Sequence, residues 1–182
     1  MIFKFTRRYC MAHRLIQGGA SSKCGIVHGH NELVIVECRP TAEFKPGPNM
    51  SMDFGDAKSV WHDWIDNAVD HSFQLGDEDP LLPWFIENEP HRLPRIMVTP
   101  GDPTTEMLLL VFARKFRALC GSALELIRIT VEETPTNSVT LDVAFASHTQ
   151  SFDDQWLLAP ANVDHWWDRP DLSINDTRAE KR

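Results

Sequence analysis

The chain has no apolar run approaching the length of a membrane-spanning helix. Its first residues, Met1-Ile2-Phe3-Lys4-Phe5-Thr6-Arg7-Arg8, lack the apolar core of a secretory leader. A long basic run is also missing and the net charge is −8, which argues against a nucleic-acid backbone as partner. None of the four cysteines (Cys10, Cys24, Cys38, Cys120) stands in a Cys-x-x-Cys pair. Reduced thiols and a cytoplasmic location are therefore expected. There is no internal repeat and no low-complexity tract. With 182 residues, the chain is long enough for one domain with a real core and an appendage.

What is present reads as strands and helices in separate runs. Phe3, Phe5 and Tyr9 alternate, which predicts a strand ending near His13. Residues 17–25 are rich in Gly and Ser and read as a loop, and Leu33 to Cys38 is a β-branched strand. The spacing of Val60, Trp61, Trp64, Ile65 and Ala68 predicts a helix opened by Asp53 or Asp56. Residues 74–103 hold six of the twelve prolines and read as one long connection. A second helix is expected from about Asp102-Pro103 to Gly121, followed by strands over 124–133 and 139–145. The order β-β-α-α-β-β predicts an α+β protein with an antiparallel sheet. Residues 1–146 form the expected domain. Residues 147–182, with Trp156, Trp166 and Trp167, form an extension expected to pack on the domain or on a neighbouring subunit.

The densest chemistry is Cys24-Gly25-Ile26-Val27-His28-Gly29-His30. In an extended segment, alternation puts both imidazoles on one face, which is half of a zinc site. A polar turn before a strand would look the same. Asp70-His71 fits either a proton relay or the charged end of a helix. Glu133 shares a strand face with Ile127, Ile129 and Val131, which suits a carboxylate that needs a buried partner. Thr104-Thr105-Glu106 is also an ordinary first helical turn.

Taken in order, His13, Cys24-x-x-x-His28-Gly29-His30-Asn31, Met52-Asp53-Phe54, Asp70-His71, Pro103-Thr104-Thr105-Glu106 and Glu133-Thr134 are far more specific than any one of them. Together they resemble the 6-pyruvoyl-tetrahydropterin synthase / 6-carboxy-tetrahydropterin synthase family. The resemblance implies a T-fold (tunnelling fold), an antiparallel four-stranded sheet with two helices on one side. It implies a homo-oligomer, commonly a hexamer built as a dimer of trimers, with active sites where subunits meet. It further implies that His13, His28 and His30 bind Zn2+ and that Cys24, Asp70 and His71 are catalytic. Glu133 would anchor a pterin, with Thr104, Thr105 and Glu106 adding contacts. The three residues between Cys24 and His28 resemble the queuosine-pathway enzymes. That implies a lyase converting 7,8-dihydroneopterin triphosphate to 6-carboxy-5,6,7,8-tetrahydropterin, acetaldehyde and triphosphate, with no redox cofactor. Two segments depart from the usual pattern. Glu32-Leu33 follows Asn31 where an aromatic is common, and Tyr9-Cys10-Met11-Ala12 precedes His13.

Overall fold

The computed structural model describes residues 1–19, 21–143 and 152–177, without the side chains of 152–154. Its centre is a sheet of six strands in the order β4-β3-β1-β2-β5-β6. The strands are β1 (Phe3–His13), β2 (His28–Pro40), β3 (Ser72–Gly76), β4 (Ile96–Thr99), β5 (Leu124–Thr134) and β6 (Asn137–Asp142). Strands β1, β2, β5 and β6 pair antiparallel, which is the four-stranded T-fold sheet expected from the sequence. The expectation of four strands alone is corrected. β3 and β4 add to the β1 edge in parallel, so the sheet is mixed.

Alternation along β1 buries Phe3, Phe5, Tyr9, Met11 and His13 on one face. Helices α1 (Phe54–Trp64) and α3 (Thr105–Cys120) cover that face. Asp53 caps α1 by accepting from Gly55 N, and Thr104 caps α3 by accepting from Met107 N. The α3 cap lies two residues later than the Asp102-Pro103 start expected. Trp61, Trp64, Phe112 and Phe116 interlock edge to face at 5.2–6.2 Å and fill the centre of the core.

Residues 74–103 are not one open connection. They form part of β3, helix α2 (Leu81–Asn88), a 3-10 turn (Pro90–Arg95) and β4. Leu75, Leu93 and Ile96 make a second core with Phe73 and Phe85 on the other face of β3 and β4. The last strand expected, 139–145, is observed as Asn137–Asp142. The end of that expectation, and the boundary at 146/147, lie outside the described residues.

The C-terminal segment lies along α3 and β4. Trp166 is buried against Trp64, and its Nε1 donates to Val98 O at 2.7 Å. Val98 N donates to Ile174 O (3.0 Å), and Asn175 Nδ2 donates to Leu93 O (2.8 Å) and Ile96 O (2.7 Å). The β4 edge is thus closed by the protein's own chain. Two buried cations of α3 hold the same segment. Arg114 makes a bidentate pair with Asp168 (2.7 and 2.6 Å). Lys115 Nζ donates to Trp166 O and Arg169 O, both at 2.9 Å.

A candidate metal centre beside an acidic cleft

The β1/β2 register sets His13 opposite His28 and Met11 opposite His30, so all three imidazoles emerge on the helix-covered face. Between them Gly29 faces Ala12. A Cβ on Gly29 would lie 2.6 Å from Met11 O, so only glycine lets the strands approach this closely. The ligating nitrogens of His13, His28 and His30 all lie within 4.8 Å of one another.

The hydrogen bonds around the trio fix which nitrogens are free. His13 Nδ1 donates to Pro103 O (3.0 Å), and His28 Nδ1 donates to Ile26 O (2.8 Å). In these tautomers both Nε2 atoms carry lone pairs, and they face each other at 3.1 Å. Two lone pairs at that separation repel unless a cation or a proton lies between them. His30 Nε2 is buried with no hydrogen-bond partner, its nearest acid being Glu133 Oε1 at 3.9 Å. Burial lowers the His13 pKa, with the Pro103 carbonyl opposing, which favours the neutral ligand form. Three imidazole nitrogen donors, two of them on rings oriented by carbonyls, fit a tetrahedral divalent cation with one position open.

The expected substrate residues gather next to the trio. Thr105 Oγ1 donates to Glu133 Oε1 at 3.2 Å. Thr104, Thr105, Glu106 and Glu133 line one cleft of about 510 Å³. A second hollow of about 720 Å³ adjoins it and shares Leu15, Thr104, Glu106 and Val139.

Cys24 sits in the loop leading to β2. That loop is tied to the end of β1 by Leu15 N donating to Cys24 O (2.8 Å). Its Sγ lies 3.2 Å from Ser21 Oγ, and it is not part of the histidine cluster.

Asp70 and His71 are elsewhere. A π-helical turn (Ile65–Val69) ends α1 just before them, and His71 has φ +61°, a strained value for a residue with a side chain. His71 N donates to Cys10 O (2.7 Å), Asp70 Oδ1 accepts from Cys10 N (2.7 Å), and Asp70 Oδ2 accepts from His71 Nδ1 (2.7 Å). Burial works to raise the Asp70 pKa. The Cys10 amide, His71 and Arg95 outweigh it and hold the carboxyl below its usual range. Cys10 lies three residues up β1 from His13, roughly 10 Å by strand rise. The His71 side chain is 76% exposed. Among the described residues, no hydrogen bond or ion pair joins Asp70 or His71 to Cys24 or the trio. One chain therefore gathers the metal and cleft residues but leaves the Asp-His pair on an open edge.

Sequence reasoning placed Tyr9 in a strand, marked Glu32 only as a departure from the family pattern, and gave Gln74 no role. Among the described residues, fully buried Glu32 has neither oxygen hydrogen-bonded; it is flanked by Tyr9 on β1, whose hydroxyl is also unpaired there, and feels the charge of Glu133 on β5. Gln74 is fully buried beside His13, both amide atoms unpartnered. The signal for Glu32 was available, because the alternation that groups His28 with His30 also turns Glu32 inward.

Comparison with known proteins bears on this geometry. The sequence pattern of 6-pyruvoyl tetrahydropterin synthases matches residues 2–143. A 6-carboxy-5,6,7,8-tetrahydropterin synthase of Rickettsia felis is 34% identical over 107 residues, covering 58% of this chain and 73% of that protein. A probable 6-carboxy-5,6,7,8-tetrahydropterin synthase of Halobacterium salinarum is 31% identical over 128 residues, covering 70% and 77%. Among solved structures, the 6-pyruvoyl tetrahydropterin synthase of Caenorhabditis elegans superimposes with a TM-score of 0.53. It is 23% identical and covers 78% of this chain and 94% of its own. An uncharacterised protein from Wolinella succinogenes gives a TM-score of 0.56 at 20% identity, covering 79% of this chain and 99% of its own. At these identities the structural matches establish the fold.

Proposed function

The chain belongs to the 6-pyruvoyl tetrahydropterin synthase family, and from that premise we propose that it is a zinc-dependent pterin lyase. Its substrate is 7,8-dihydroneopterin triphosphate, and its products are 6-carboxy-5,6,7,8-tetrahydropterin, acetaldehyde and triphosphate. The carboxy product is favoured over the pyruvoyl one by the names of the sequence relatives at 31–34% identity. The observation that carries the reading is the pair of lone-pair nitrogens on His13 and His28, 3.1 Å apart, beside a cleft that ends on Glu133.

His13, His28 and His30 would hold the Zn2+, which would supply a Lewis acid making the substrate side-chain hydroxyls and the neighbouring C–H more acidic. Glu133 accepts the two parallel N–H donors of the pterin edge, as a carboxylate accepts a guanidinium. Thr105 holds one Glu133 oxygen in place, and Thr104 and Glu106 border the same cleft. Cys24 takes a proton from the side-chain carbon, and His71, oriented by Asp70, exchanges it.

His71 reaches that chemistry from a second copy of the chain. It is exposed, and it sits where β1 is open above β3: β1 pairs with β2 over its whole length but with β3 only at Met11–His13. An open strand edge carrying an unshared catalytic pair is what a homo-oligomer with sites between subunits requires.

The test combines metal analysis with product analysis. Purified protein should hold one zinc per chain, and His28→Ala should lose it. Dihydroneopterin triphosphate should yield acetaldehyde stoichiometrically. Turnover without acetaldehyde would assign the pyruvoyl reaction instead. Cys24→Ala should abolish turnover and retain zinc, and persistent activity would remove Cys24 from its role.

A further inference from the structure

The clefts beside the metal centre are the wrong charge for a polyphosphate. Asp102, Glu106 and Glu133 line them, and no lysine or arginine does among the described residues. Arg14, next to His13, is already committed, since it makes a bidentate pair with the fully buried Asp79. A substrate bearing a triphosphate therefore needs cations that its own subunit's cleft lacks.

Cations lie on the edge that carries His71. Arg95 ends the 3-10 turn ahead of β4 and is exposed. Its Nη1 donates to Asn67 O (2.8 Å) and Asp70 O (3.3 Å), so the guanidinium is tied to the peptide immediately before His71. Its Nε and Nη2 have no hydrogen-bond partner among the described residues. One side of the fork is thus fixed and the other is free, an arrangement suited to gripping phosphate oxygens. Arg95 also belongs to the 74–103 segment, which the notable family motifs bypass.

We propose that Arg95 enters the neighbouring subunit's site together with His71 and binds the triphosphate of the substrate. This rests on the lyase reading above. It makes Arg95 a specificity-determining residue, selecting phosphorylated over unphosphorylated dihydropterin, and it gives the extra β3–β4 unit a role in catalysis between subunits.

The test uses the intact oligomer and reads phosphate binding separately from chemistry. Arg95→Gln should raise KM for dihydroneopterin triphosphate about 10-fold or more, by a larger factor than any fall in kcat from the loosened Asp70 peptide, and weaken inhibition by inorganic triphosphate to the same degree. Binding of unphosphorylated dihydroneopterin should not change, and Arg95→Lys should recover part of the loss. If Arg95→Gln lowers kcat while inorganic triphosphate inhibits as before, Arg95 only props Asp70 and the proposal is overturned. It is equally overturned if Lys23→Gln, in the Cys24 loop, produces the phosphate-selective loss instead. A wild-type protein that binds inorganic triphosphate through Arg95 but does not turn over dihydroneopterin triphosphate would sink the lyase reading and leave this assignment standing.

Discussion

At Gly29 two backbones touch because no side chain intervenes. The clash distance of 2.6 Å is to a carbonyl oxygen, which cannot swing aside as a flexible side chain would. Gly29→Ala should therefore push β1 and β2 apart between the His13/His28 and Met11/His30 pairs. The expected result is a loss of roughly 1–3 kcal/mol in stability and a much weaker hold on zinc. Thermal melting and metal content of the dialysed protein read the two effects. A variant that melts normally and keeps its metal would show that the close approach is dispensable. Glu32 invites a second test. Burial pushes its carboxyl up to about 7, the facing Glu133 adds to the shift, and Tyr9, outside hydrogen-bond geometry, offsets only part of it. The folded protein then holds a proton that the unfolded chain releases near 4.5. Stability from this group is complete below about 4.5 and is lost as pH rises through about 7. In metal-stripped protein, Glu32→Gln should remove that loss, giving a gain of a few kcal/mol at pH 8 and little change at pH 4.5. Urea unfolding across that range measures it, and parallel curves for both proteins would place Glu32 in a wetter site than described.

Among the elements, those most legible in the sequence are the ones with local pairing and one buried face. The His28-Gly29-His30 alternation and the Trp61/Trp64 stripe show a clear period because one side meets water, whereas a bulge in the β2/β5 pairing shifts the phase of the Glu133 strand and takes Ile127 off the buried face that it was expected to share with Ile129 and Val131. β3 and β4 show none. They are parallel strands of five and four residues, and Ser72 finds its partner Met11 far back in the chain with no hairpin turn to announce it. Their outer face, with Leu75 and Ile96, is covered too, by Leu93 and Phe85, so alternation disappears. The buried cations of α3 were hidden for a different reason. Arg114 and Lys115 would ordinarily be assigned to a solvent face, and only the docked C-terminal segment supplies the acceptors that let them be buried. Arg114→Met should leave the Asp168 carboxyl, at 5% side-chain exposure, without its guanidinium and with the Asn162 amide as its remaining donor. A loss of roughly 3–5 kcal/mol is expected, together with early proteolytic cutting within residues 155–177. Limited proteolysis followed by mass spectrometry checks this, and an unchanged cleavage pattern would mean that Trp166 packing, Lys115 and the bonds to β4 hold the segment without Arg114.

On the scale of the whole molecule, the edges of the sheet decide how copies meet. The β4 edge is closed by residues 174–175 and Trp166, which removes it as a pairing surface. Among the described residues, β6 at the other end and the upper half of β1 remain open, and Asp70, His71 and Arg95 lie beside the second of these. If those residues serve a neighbour, two inactive proteins can repair each other. His28→Ala removes a proposed metal ligand and keeps His71, while His71→Ala does the opposite. Purified separately, each should be inactive. Unfolded together at equal amounts and refolded, they should recover about one quarter of wild-type activity, because random assembly pairs an intact metal centre with an intact His71 at that frequency. The recovered activity should scale with the product of the two fractions as the mixing ratio is varied, a dependence that contamination by wild-type protein cannot imitate. Mixed oligomers that form, as judged by native mass spectrometry, yet stay inactive would mean that His71 acts within its own chain, and its 76% exposed ring would then have to swing across β1 to reach the trio.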